Sequence, residues 1–106
     1  MERKNNMQRE ELMRSLGRRL SFSATFIRYG VNRNNEITML FEDVKQDGKY
    51  VTDHIWVYEN QGFENIILEK DDIVHFQALV SIYRRIYDID AQLKEFKNIV
   101  VEKPKT

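Results

Sequence analysis

The chain contains no cysteine, so structural disulfides and thiolate zinc sites are excluded and nothing argues for an oxidising compartment. No apolar run approaches the roughly eighteen residues of a membrane span. The opening "MERKNNMQREE" also lacks the apolar stretch of a signal peptide. A cytoplasmic protein, neither exported nor membrane-associated, is the expectation. Net charge is absent too, with 17 Lys and Arg against 17 Asp and Glu, which disfavours coating nucleic acid by bulk electrostatics. There is no Gly-rich phosphate loop, no G-x-S-x-G elbow and no H-E-x-x-H helix. No conspicuous nucleophile–base pair takes their place, and Asp71-Asp72 fits a turn entering a strand better than an acid pair. Asp53 and His54 are expected on opposite faces of a strand, and His75 is one isolated ring. The expectation is therefore no enzyme, no metal and no cofactor.

A chain of 106 residues forms one domain, able to bury about 65% of its unfolded surface without a structural metal. Its charge is segregated. Residues 1–35 carry eight basic against three acidic side chains, a balance of +5; residues 36–72 carry three against ten, a balance of −7; residues 73–106 return to +2. A fold that preserves this order has one basic and one acidic face, either of which can dock a partner.

The first element reads as a short helix. In "NNMQREELMRSLGRR", Met7, Leu12, Met13 and Leu16 form an apolar stripe, Glu10 and Glu11 sit early, Arg14, Arg18 and Arg19 sit late, and Gly17 is a natural stop. From Leu20 the period changes to two, with Leu20, Phe22, Ala24 and Phe26 alternating with polar residues as in a half-buried strand. The loop "GVNRNN" ends it. Strands are predicted at 36–44 and 50–59, joined by Asp47-Gly48, a strong hairpin signal. "NQGFENIILEKDD" is a turn or short helix in which Phe63, Ile66 and Leu68 plug the core. Residues 72–83 form a long strand with Val74, Phe76, Ala78, Val80 and Ile82 on one face. "RRIYDIDAQLKEF" is predicted as a polar loop with a helical turn, and "FKNIVVEK" as a last short strand before Pro104.

Five short antiparallel strands with one N-terminal helix and no parallel crossover make an all-β class and a small OB-like barrel. The division is a helical arm at 1–19, the barrel at 20–103 and a tail at 104–106. The runs "TDHIW", Gly62-Phe63 and "LEKDDIVHFQALVSIY" (68–83) also resemble small proteins carried by phages and mobile elements of Gram-positive bacteria. In those, T-D-H-L-W precedes L-x-x-G-D-x-V-x-F-x-A-x-V-x-x-Y. The resemblance spans about residues 15–100 and brings a pattern rather than an activity. Asp71 stands where that group usually has Gly, a change Asp tolerates in a left-handed turn. "YRRIY" (83–87) replaces a common Lys-Gly-Tyr ending. A turn ending in Asp before the fourth strand also recurs in OB-folds.

OB-folds bind oligonucleotides and oligosaccharides on the face of strands two and three and through the first-to-second and fourth-to-fifth loops. Here those positions offer Arg28 and Arg33 on one side, and Tyr83, Arg84, Arg85 and Tyr87 on the other. Guanidinium groups neutralise phosphate while aromatic rings stack on any base. In "TDHIWVY", His54, Trp56 and Tyr58 share one face of the strand. Burial is the commoner fate of a single Trp in a small domain; placed outward instead, Trp56 and Tyr58 form an aromatic platform. Two function classes follow. One is a single-stranded nucleic-acid-binding protein of a phage or mobile element, serving DNA replication, recombination or transfer. The other is a protein-interaction module or inhibitor of a host enzyme, such as an anti-defence protein, using the acidic stretch 36–72. The expected partner is thus a single-stranded nucleic acid or a protein. A homodimer through an uncovered strand edge is an alternative assembly.

Overall fold

The computed structural model describes residues 12–84, 86 and 89–104. Five strands follow one another: β1 (Arg19–Val31), β2 (Ile37–Gln46), β3 (Lys49–Tyr58), β4 (Ile73–Arg84) and β5 (Ile89–Glu102), with a single 3-10 turn at Glu59–Gln61. They form one antiparallel sheet in the order β3-β2-β1-β4-β5. The long β1 makes this possible, because its first half pairs with β4 (Arg19↔Leu79 to Thr25↔Ile73) while most of its length pairs with β2 (Phe22↔Gln46 to Val31↔Ile37).

Alternation explains which face is inside. Phe22, Ala24 and Phe26 of β1, Met39 and Phe41 of β2, Ile55 and Val57 of β3, and Val74, Phe76, Ala78 and Val80 of β4 are all buried. All six phenylalanines lie in this core. Their rings form a chain of contacts, Phe26–Phe41 at 5.6 Å, Phe41–Phe63 at 5.8 Å, Phe63–Phe96 at 5.3 Å and Phe96–Phe76 at 5.0 Å between centroids. Phe63 is the plug, closing the core from the 3-10 turn side as its position predicts.

Three expectations are corrected. First, no N-terminal helix of seven or more residues is found among the described residues: Met7, Glu10 and Glu11 lie outside them, Leu12 and Met13 are helical, and residues 14–17 form a turn. Leu12 is fully buried and the Gly17 N–H donates to Val80 O at 2.8 Å, so this segment is pulled onto β4 instead of continuing as a helix. Second, the sheet does not close into a barrel, since β3 and β5 stand at its two ends without a shared ladder. Third, most of "RRIYDIDAQLKEF" is neither loop nor helical turn. Residues 89–96 belong to β5, with Ala91, Leu93 and Phe96 buried and Leu93 opposite Val80.

Bulges curve the sheet. Asp43 in β2 and Glu95 and Asn98 in β5 adopt positive φ of 53°, 55° and 54°, each where two residues oppose one on the neighbouring strand. Asp and Asn tolerate this conformation, whereas a β-branched residue does not. Asp43→Val is therefore expected to cost about 1–2 kcal/mol, with Asp43→Gly within about 0.5 kcal/mol of the parent; urea denaturation of the two variants checks this.

Candidate nucleic-acid interface

Trp56 and Tyr58 lie on the outer face of β3, with half and somewhat under half of their surface exposed (50% and 45%). Of the two placements the sequence leaves open for Trp56, core or surface, the outward one is found. Ile55 and Val57 take the inward positions, and in a core filled by six Phe rings the alternation leaves Trp56 outside. Across the ladder, Trp56 opposes Leu40 and Tyr58 opposes Thr38; on the next strand Arg28 opposes Leu40 and Gly30 opposes Thr38. Trp56 spans this face. The Arg28 guanidinium carbon lies 5.2 Å from its ring centroid, a cation–π pair. A methyl group at Gly30 would touch Trp56 Cζ3 at an ordinary 3.7 Å but would crowd Thr38 Oγ1 at 3.1 Å, so Gly30 leaves room for the Thr38 hydroxyl beside the indole.

Between the facing ends of β3 and β5 opens a groove of about 480 Å³. Ile55 to Tyr58 line one wall, Asp90 to Leu93 the other, and Val31, Asn32 and Thr38 the end. Two connections far apart in sequence thus meet at one groove: Asn32 begins the β1–β2 loop, and Asp90 pairs with Tyr83 at the base of the β4–β5 loop. Asn32 holds the first loop rigid. Its Oδ1 accepts the N–H groups of Asn34 (2.9 Å) and Glu36 (3.0 Å), and its Nδ2 donates to Glu36 Oε1 at 3.0 Å. Arg33 stands exposed at the tip, followed by Asn35 at φ 61°.

The structure brings Arg28, Trp56 and Tyr58 together and sets Arg33 on the adjoining loop. Arg84 is exposed at the end of β4, on the connection that leads to the opposite wall. Tyr83 is located by its backbone pairing with Asp90, while Arg85 and Tyr87 lie outside the described residues. Gly30, Thr38, Asn32 and Gln92 complete the site without having been expected there. Only cross-strand register reveals them, and no local motif encodes it.

The other end of the same face is acidic. Tyr50 has its phenol pushed above the ordinary value by burial and then by the charges of Asp53, Asp43 and Glu42. Asp53 and His54, expected on opposite faces, instead bond to each other, with His54 Nδ1 3.0 Å from Asp53 Oδ1. Strict alternation fails just here, where Val51 and Thr52 are both buried and the β2–β3 register slips after Val44. His75 Nε2 lies 2.9 Å from Glu102 Oε1 on the exposed surface. Among the described residues no group of three or more His, Asp or Glu side chains is arranged to hold a metal ion, and no helix is long and apolar enough to cross a membrane.

Comparison of the chain with protein-family models, with curated proteins and with solved structures returned no match.

Proposed function

We propose that this is an OB-like single-stranded nucleic-acid-binding protein of a phage or mobile element, acting in replication, recombination or transfer. One observation carries this reading. Trp56 and Tyr58 stand outward two residues apart on β3, with the Arg28 guanidinium against the indole. A strand rise of about 3.3 Å per residue puts the two rings roughly 7 Å apart, a spacing that suits two successive bases of an extended strand. The strand order, with β3 and β5 flanking a gap, is compatible with the partly open five-stranded barrel of that class, which binds on the strand-two and strand-three face.

Charge sets the path of the strand. Phosphates are repelled from the end of the face holding Glu42, Asp43 and Asp53 and drawn to the end holding Arg28, Arg33 and Arg84. Bases then turn toward Trp56, Tyr58 and the groove. Stacking on an aromatic side chain is worth about 1–3 kcal/mol per base, so Trp56→Ala is expected to weaken binding of a single-stranded oligothymidylate about tenfold or more. Arg28→Ala and Arg84→Ala should each also reduce the dependence of affinity on salt by about one counterion or less. Fluorescence anisotropy of a labelled oligothymidylate at two salt concentrations measures both effects. Absence of binding at tens of micromolar protein in low salt would remove the proposal.

A further inference from the structure

Beside the aromatic face, beyond Val31, lies a second concavity of about 460 Å³ lined by Val31, Ile37, Ile66 and Ile67, with Glu59 and Glu64 at its margin. Its aliphatic residues are unusually open to solvent: Ile67 is 87% exposed, Val31 67% and Ile37 43%. Ile67 is not a failed core residue. Its neighbours are seated, Ile66 packing against the core and Leu68 buried, and the Leu68 N–H donates to the Tyr29 hydroxyl at 3.0 Å. With both flanking residues fixed, the backbone presents the Ile67 side chain outward. Glu59 and Glu64 make no ion pair among the described residues. An apolar surface bordered by two uncompensated carboxylates selects its occupant by charge.

We propose that this concavity docks a cationic amphipathic segment of a partner protein, with aliphatic side chains against Val31, Ile37 and Ile67 and Lys or Arg groups reaching Glu59 and Glu64. Nucleic acid and anionic lipid surfaces are disfavoured there, because the same carboxylates repel phosphate. The concavity adjoins the groove, sharing Val31 with it, but Trp56 does not line it.

The test uses the full chain and three labelled twelve-residue peptides: one of leucine and lysine, one with glutamate replacing lysine, and one with serine replacing leucine. The leucine–lysine peptide is expected to bind with Kd of roughly 10–100 μM, and the other two about tenfold or more weakly. Ile67→Ser, at a position too exposed to affect folding, and the double change Glu59→Gln with Glu64→Gln should each weaken that binding about fivefold or more, while Trp56→Ala leaves it unchanged. Equal binding by the parent and both of these variants overturns the proposal, as does no binding at millimolar peptide. Sedimentation showing a dimer that Ile67→Ser converts to a monomer also overturns it, by making a second copy the occupant.

Discussion

Gly62→Ala is expected to lower the free energy of unfolding by roughly 2–4 kcal/mol. Gly62 has φ 133°, a conformation that L residues rarely adopt, and a Cβ there would lie 2.7 Å from the carbonyl oxygen of Phe96. The obstacle is backbone, so a side-chain rotation cannot relieve it. Displacing β5 is costly in its turn, because Phe96 sits in ring contact with both Phe63 and Phe76. Moving Gly62 would instead unseat Phe63, which is fully buried against Phe41 and Phe96. Urea denaturation gives the value; a change under about 0.5 kcal/mol would contradict the packing described.

The second large effect concerns Asp72. This carboxylate is 1% exposed. Its Oδ2 accepts the Glu69 N–H and a Lys103 ammonium hydrogen, both at 2.9 Å, while Oδ1 is buried without a partner among the described residues. The same turn is tied to β1 twice, through Phe26 N–H to Asp72 O and Asp71 N–H to Phe26 O, both at 2.8 Å. Asp72 therefore joins the turn before β4 to the end of β5. Asp72→Ala leaves the Glu69 N–H unpaired and is expected to cost about 2–3 kcal/mol. Burial by itself would raise the pKa of Asp72, but the Glu69 N–H and Lys103 outweigh it and hold the pKa below the ordinary carboxylate value.

The pH dependence follows from that sign. A depressed carboxylate contributes stability above its unfolded pKa and loses it as pH falls through the folded one, so the Asp72 contribution begins to fall near about pH 4 and is lost as pH drops through its lower folded value. Lys103 is shifted upward by the Asp72 hydrogen bond and then by Glu69, so its share is present at neutral pH and is lost only as pH rises through its elevated value. Thermal denaturation between pH 2 and 7 should show a steeper acid loss for the parent than for Asp72→Ala. Parallel curves would contradict this.

Much of the fold is legible in local pattern, for physical reasons visible in particular residues. Asp47 and Gly48 adopt φ of 51° and 80° between β2 and β3, the turn that Asp-Gly favours. The alternation of β1 and β4 identifies buried Phe22, Phe26, Val74, Phe76 and Val80 directly. Asp71 takes a left-handed φ of 75°, as a residue in a glycine-like position must. The first half of β5 is not legible in the same way, because Asp90, Gln92, Lys94 and Glu95 give it the composition of a loop. The bulges at Glu95 and Asn98 then break the period that would betray a strand.

The candidate site divides along the same line. That Trp56 and Tyr58 share a face follows from strand period; which face points outward depends on how completely the phenylalanines of five other segments fill the interior. Gly30 beneath the indole and the wall formed by Asp90 to Leu93 depend on register between strands distant in sequence. No local signal carries such information.

Trp56 is the only tryptophan in the chain, so intrinsic fluorescence reports on the proposed stacking surface itself. Titration of the parent protein with unlabelled oligothymidylate in low salt should quench this emission saturably, with a midpoint that moves to higher oligonucleotide concentration as salt is added and on Arg28→Ala. Tryptophan emission that stays constant while the oligonucleotide is raised to saturating excess, or while it binds elsewhere on the molecule by anisotropy, would contradict the account.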